Sequence, residues 1–368
     1  MTTGRRTTLQ RVRLYQRLRT VHLERARRQT PATIVYVLKS YDFDATLAAD
    51  LDLVKAGTFA APLVMLRSRV EALEVNEPLV RQRLARTVLS VWAAQVAGRI
   101  RSHPVLVVAH AIENLDPFAV TPTRWRPRLR RVVDRGLSRW LSRHLDRISF
   151  GTSASMELYE LTRGPELSQT DRLLVPELPA PCSCSPLARR PHSVVFVGAF
   201  DERKGIRPLL ASWPAVVEIV PNATLTVVGK GPLLDEVLAA ASRLPGVEVR
   251  IDPPRDEIHS VLRSSEVLVL LSQPRERWRE QVGLPIVEGL AHGCRIVTTD
   301  QTGLAAWLFE NGHCVIDAES SIDEVASAVS LAATQGRSAS DVMVPLPSTD
   351  GRTAADQWLF RPTTQERL

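Results

Sequence analysis

No apolar run in this chain approaches the ~20 residues needed to cross a bilayer, so no membrane-spanning segment is expected. The start, Met-Thr-Thr-Gly-Arg-Arg, is basic like a signal peptide, but no apolar stretch follows it. That lack argues against secretion and for a cytoplasmic protein. Cysteine is scarce: Cys182, Cys184, Cys294 and Cys314 are too few and too irregularly placed for a disulfide framework or a zinc site. Four reduced thiols and no metal are expected. Acid is nearly missing from the first thirty residues, where nine arginines face the single acid Glu24, an excess larger than the +7 of the whole chain. Neither a nucleic-acid-binding motif nor interleaved aromatics accompany those arginines, so no nucleic-acid partner is expected.

What is present is a chain of 368 residues, 44% of them hydrophobic, which is length for two domains with a core each. Residues 1–30 read as a basic tail with a weak helical pattern in Leu14, Leu18 and Val21. Such a tail is a solvated arm or a peripheral contact with an anionic membrane surface, with nucleic-acid binding or packing on the fold as lesser alternatives. Thr33 to Leu38 is a continuous β-branched run of the kind found in buried parallel strands. A helix over Ala45–Lys55, strands at Pro62–Leu66 and near Glu71–Asn76, and a helix over Leu79–Arg101 follow. The strand Pro104–His110 ends on a histidine, and strand ends of an open α/β sheet face the ligand crevice, which makes His110 a candidate site residue. Arg126 to Ile148 reads as an amphipathic helix, with Leu129, Val132, Val133, Leu137, Trp140, Leu141, Leu145 and Ile148 on one stripe. Arginines crowd its first turns, against the helix dipole, so helix stability does not explain them.

Five prolines in Pro176–Pro191 read as a linker. Beyond it, Ser193 to Ile206 runs as an apolar strand, a glycine turn at Gly198 and the basic pair Arg203-Lys204 at a helix start, an arrangement suited to a diphosphate. Ala223 to Pro232 is a second strand and turn, where Gly229 and Gly231 let backbone approach a ligand.

The stretch Arg279 to Asp300 organises the rest. Pro285 suits a first helical turn and Gly293 the residue past the end, giving a helix over Leu284–His292. The first N–H groups, near Gly283 and Leu284, and the positive end of the dipole make a seat for phosphate. Glu280 and Glu288 flank that seat, where carboxylates serve best as acceptors for adjacent hydroxyls of a sugar or ribose.

Glu280, seven residues, Glu288, with Gly-Leu-Pro between and Glu-Gly-Leu-Ala-His-Gly after, resembles the signature of the retaining glycosyltransferases of family 4. The resemblance implies an α/β GT-B fold, two Rossmann-like domains with parallel sheets facing a central cleft. The expected divisions are a tail over 1–30, an acceptor domain over 31–176, a linker over 177–191, a nucleotide-sugar domain over 192–336, and a loop and final helix over 337–368 that return to the first domain. It implies Glu280 and His110 at the transferred sugar, and Lys204, Arg203, Gly198, Gly229, Gly283, Leu284 and Glu288 around the donor. The donor is a nucleoside diphosphate sugar, with no cofactor and no metal. The acceptor stays open among polysaccharide, lipid-linked glycan and small natural product. Ala199, where the family has arginine, and the long loop Ser272–Arg279 leave room for a catalytically silent binding protein of the same fold.

Overall fold

The computed structural model describes residues 9–40, 43–82, 84–120, 123–184 and 187–362. The first eight residues of the expected tail, Tyr41 and Asp42 of the loop after the Thr33–Leu38 strand, two linker residues and the end beyond residue 362 lie outside the described residues. The chain divides into two compact units, one of residues 1–151, 155–175 and 352–368, the other of residues 152–154 and 176–351.

The first unit carries a seven-stranded parallel sheet: β1 (Arg11–Leu18), β2 (Thr33–Lys39), β3 (Leu53–Lys55), β4 (Ala72–Val75), β5 (Leu106–Ala111), β6 (Arg147–Phe150) and β7 (Asp171–Leu174), in the order β3, β2, β1, β4, β5, β6, β7. The expected tail is thus not a tail. Its residues 11–18 are an interior strand between β2 and β4, with Val12, Leu14 and Leu18 buried, and Thr20–Ala26 is a helix. Charged residues alternating with apolar ones hid the strand, and one of them, Arg13, is itself buried. Two further expectations are corrected. Residues 45–50 form turns leading to the edge strand β3 rather than a helix, and Ala60–Arg67 is a helix rather than a strand. Pro62 lies in the first turn of that helix, where a missing N–H costs nothing, and a short apolar run has no periodicity to tell helix from strand.

The final helix, Gly351–Leu359, belongs largely to the first unit. Burial alone would strand its charges, so they are paired. Arg13 donates through Nε to Glu74 at 2.8 Å and through Nη2 to Asp356, Arg352 donates to the other Glu74 oxygen, and the Thr30 N–H donates to Asp356 at 2.8 Å. Arg147 donates to the carbonyls of Leu359 at 3.1 Å and Arg361 at 2.6 Å, which satisfies the end of the helix.

The second unit is a six-stranded parallel sheet: β8 (Ser193–Val197), β9 (Thr224–Gly229), β10 (Val247–Ile251), β11 (Val267–Leu270), β12 (Arg295–Thr299) and β13 (Cys314–Ile316), in the order β10, β9, β8, β11, β12, β13. The stretch expected as a free linker is bonded to this unit: the Cys182 N–H to Ala291 O at 2.8 Å, Arg190 N–H to Ser264 O at 3.0 Å, and Arg189 to Gly293 O at 2.8 Å. Cys182 and Cys184, expected as thiols, are paired in a disulfide, their Cα atoms 5.4 Å apart across a tight turn and so within bridging range. Cys294 and Cys314 are free.

Candidate functional site

In the second sheet the order reverses direction between β8 and β11, since β9 and β10 lie to one side and β12 and β13 to the other. Loops leaving such a switch point diverge and open a crevice at the carboxyl ends of the strands. The loop after β8 carries Arg203 and Lys204 in a short 3₁₀ turn, Glu202–Lys204, whose start is held by the Asp201 carboxylate accepting from the Arg203 N–H at 3.0 Å. The turn ends on Gly205 at φ +71°, and any Cβ there would fall 1.8 Å from the Leu271 carbonyl oxygen. Only glycine lets this loop lie against the end of β11. The loop after β11 carries Ser272 and, eight residues on, Glu280.

Those two loops bring Lys204 and Glu280 together, 76 residues apart in sequence. The Lys204 ammonium donates to Glu280 Oε2, the Ser272 hydroxyl donates to the same oxygen at 3.1 Å, and the two charged side chains are 12% and 11% exposed. Water screens such a pair far less than it would at the surface. The Glu280 backbone is fixed from the other side by a bridge to Thr302 and by its carbonyl accepting from the Gly303 N–H at 3.2 Å. Trp278 closes the loop through its bridge to Arg275, and its ring lies 4.7 Å from the Arg203 guanidinium and 5.3 Å from the Lys204 ammonium. Arg203 is further held by Asp201 at 3.6 Å.

The helix Leu284–Ala291 begins twelve residues after Ser272, with Gly283 as its N-cap, Pro285 in its first turn and no acidic residue there. Leu284 is exposed at the opening, and the first N–H groups of any helix have no partner within it. Glu288, one turn further, is ion-paired to Arg255 at 3.2 Å. Gly198 and Gly229 end up against each other: the Gly198 N–H donates to Val228 O at 3.0 Å, and a Cβ on Gly229 would sit 1.9 Å from the Gly198 carbonyl. Close approach of the two strand ends explains Gly229, whereas a Cβ on Gly198 would meet nothing nearer than the Phe196 ring at 3.5 Å.

Residues 191–334 match the family model of the glycosyl transferases group 1. The phosphatidyl-myo-inositol mannosyltransferase of Mycobacterium tuberculosis is 32% identical over 115 residues, which are 30% of this chain and 29% of that protein, so the likeness spans under a third of the relative. The whole chain is similar in fold to HepE of Anabaena, solved in complex with UDP and glucose, at TM-score 0.61 and 12% identity over 96% of this chain and 95% of that one. It is equally similar to WaaG, a glycosyltransferase involved in lipopolysaccharide biosynthesis, at TM-score 0.60 and 15% identity over 95% and 100%. The fold is GT-B. Lys204, Glu280, Gly283, Leu284 and Glu288 all fall inside the segment matched to group 1.

His110 lies outside that segment, in the first unit. It is the penultimate residue of β5, half-buried, and its Nδ1 is 2.9 Å from the Ser149 hydroxyl of its neighbour on β6. Of its followers, Asp116 is used locally: its carboxylate accepts from the Phe118 N–H at 2.8 Å.

Sequence reasoning passed over Ser272, although it directly ends a buried strand run and the strand-end rule that selected His110 applies to it equally. It also passed over Glu77, which follows β4 at the switch point between β1 and β4. Glu77 is buried and accepts from the N–H groups of Ile112 and Glu113 and from the Tyr159 hydroxyl, each at 3.1 Å. Burial and the neighbouring charge of Glu113 push its carboxyl up from 4.5 to about 8. The folded chain therefore holds a proton that the unfolded chain releases above about pH 4.5. Stability from this group is complete below that pH and is lost as pH rises toward 8, at up to about 1.4 kcal/mol per pH unit. Thermal melts between pH 5 and 8 are expected to fall with rising pH in the wild type and much less in Glu77→Gln. An unchanged slope in the variant would assign the loss to another group.

Proposed function

We propose that the chain is a retaining glycosyltransferase that moves a sugar from a nucleoside diphosphate sugar to an acceptor without a required metal ion or cofactor. The observation that carries this reading is the Lys204–Glu280 pair at the switch point of the sheet in the matched segment. Lys204 and the first N–H groups of the Leu284–Ala291 helix take the charge that develops on the leaving diphosphate, where a dry, preorganised site gives them most effect. Arg203 adds positive charge beside it. Glu288 accepts from the ribose hydroxyls, exchanging Arg255 for them or sharing it. Glu280 accepts from the sugar hydroxyls and orients the anomeric carbon. His110 serves the transferred sugar. The acceptor hydroxyl attacks on the face the diphosphate leaves, and a phosphate oxygen takes its proton, so the configuration is kept.

The names of two similar proteins, one a phosphatidyl-myo-inositol mannosyltransferase and one serving lipopolysaccharide biosynthesis, support a glycolipid acceptor over a small soluble one. That in turn supports a site of work at the inner face of a membrane.

A panel of nucleotide sugars, scored by release of nucleoside diphosphate and by the anomeric configuration of the product, tests the reading. One donor is expected to stand out, with configuration retained. Silence across the panel, with and without lipid acceptors and from folded protein, would favour a binding protein, the reading that Ala199 and the long Trp278 loop support.

A further inference from the structure

The helix Trp125–Arg143 changes character along its length. Its second half packs apolar residues on its own unit, with Leu141 in the core and Leu137 and Trp140 against it, whereas the inward contacts of its middle are polar: Asp134 is buried and ion-paired to Arg81 at 3.0 Å, and Ser138 is buried and accepts from Arg163 at 3.1 Å. Of the residues expected to line the core, Leu129, Val132 and Val133 point outward instead, 58%, 66% and 51% exposed, beside Trp125 at 69%. At about 100° per residue these four and Gly136 share an arc of roughly 100°. Arg126 and Arg130 border that arc on one side and Arg128, Arg135 and Arg139 on the other. Among the described residues no ion pair engages Arg126, Arg128 or Arg135, and Asp134, the one acid on the helix, faces inward. The adjoining helix Leu84–Ile100, which packs against this one, also leaves Trp92 and Ile100 exposed.

We propose that the Trp125–Arg143 helix lies in the plane of an anionic lipid bilayer, with Trp125, Leu129, Val132 and Val133 in the acyl boundary and the flanking arginines on lipid phosphates. An apolar stripe with tryptophan, bordered by arginine on both sides, is the pattern of interfacial helices. It also accounts for arginines at a helix start, where the dipole disfavours them. Nucleic acid fits worse, because its phosphate backbone offers nothing to four exposed apolar side chains. A second copy fits worse, because it would bring one arginine-bordered face against another.

The experiment is flotation of the full chain with vesicles of phosphatidylcholine alone or with phosphatidylglycerol added, at low and high salt. The wild type is expected to float with the anionic vesicles only, and less at high salt. In Arg126→Gln/Arg128→Gln/Arg135→Gln, partition is expected to drop about five-fold per arginine. In Trp125→Ser/Leu129→Ser/Val132→Ser, flotation is expected to be lost with the circular dichroism unchanged, since these side chains are exposed. A chain lacking residues 1–8 should float as the wild type does. The proposal is overturned if both triple variants float like the wild type or if the wild type ignores anionic vesicles. It is equally overturned if removal of residues 1–8 alone abolishes flotation, or if the serine variant changes only a sedimentation-measured dimer or a shift with duplex DNA.

Discussion

Replacing Lys204 by alanine is expected to lower the rate of sugar transfer by about 10²- to 10³-fold, the scale of one lost electrostatic contact to a developing anion. Glu280→Ala is expected to cost a similar factor, but the two losses should divide differently between binding and turnover. The Lys204 ammonium donates to Glu280 and is shielded from water. A diphosphate that arrives must compete with that carboxylate for the same cation. Removing the charge in Glu280→Gln therefore frees Lys204 for phosphate, and nucleoside diphosphate is expected to bind at least as tightly as to the wild type while turnover falls. Lys204→Ala should weaken both. Because the residues touch, the double alanine variant should lose less than the product of the single losses. Titration calorimetry with the nucleoside diphosphate, beside initial rates, separates the cases. Near wild-type rates in both single variants, or weaker diphosphate binding in Glu280→Gln, would remove the pair from the chemistry.

That pair was legible in the sequence because both residues follow strand runs with strong signals. The apolar runs now seen as β8 and β11 have no competing reading, and the Gly-Leu-Pro start of the helix after Glu280 is specified by its glycine and proline. What escaped was whatever depends on a neighbour distant in sequence. β1 reads Arg-Val-Arg-Leu-Tyr-Gln-Arg-Leu, and Arg13 belongs in an interior strand only because Glu74 and Asp356, 61 and 343 residues away, neutralise it. The Trp125–Arg143 helix was legible and its Leu137, Trp140 and Leu141 do face the core, but Leu129, Val132 and Val133 lie outward, since an apolar stripe predicts burial unless something outside the chain covers it. Glu77 showed nothing locally, because its environment comes from Ile112, Glu113 and Tyr159.

The first unit should therefore depend on its final helix more than the chain's order suggests, and Asp356→Ala measures how much. The four charges of Arg13, Glu74, Arg352 and Asp356 are each at most 6% exposed, and they cancel. Removing one member leaves a buried guanidinium short of its counter-ion, a change that typically costs about 3 to 5 kcal/mol. Asp356 also accepts from the Thr30 N–H, so the same substitution loosens the connection from the first helix to β2. A lowered urea midpoint for the first unit is expected, with the matched segment of the second unit less affected. The pH dependence follows from Glu74. Burial alone would raise its carboxyl, but the charges of Arg352 and Arg13 outweigh burial and bring it from 4.5 down to about 2. Its contribution is thus present above about pH 4.5 and is lost as pH falls toward 2. Glu74→Gln should flatten the acid limb of the stability curve as well as lower it. If Asp356→Ala leaves the urea midpoint where it was, the final helix is held by Leu359 and Phe360 packing on Ala72 and Val108, and the charges are incidental to it.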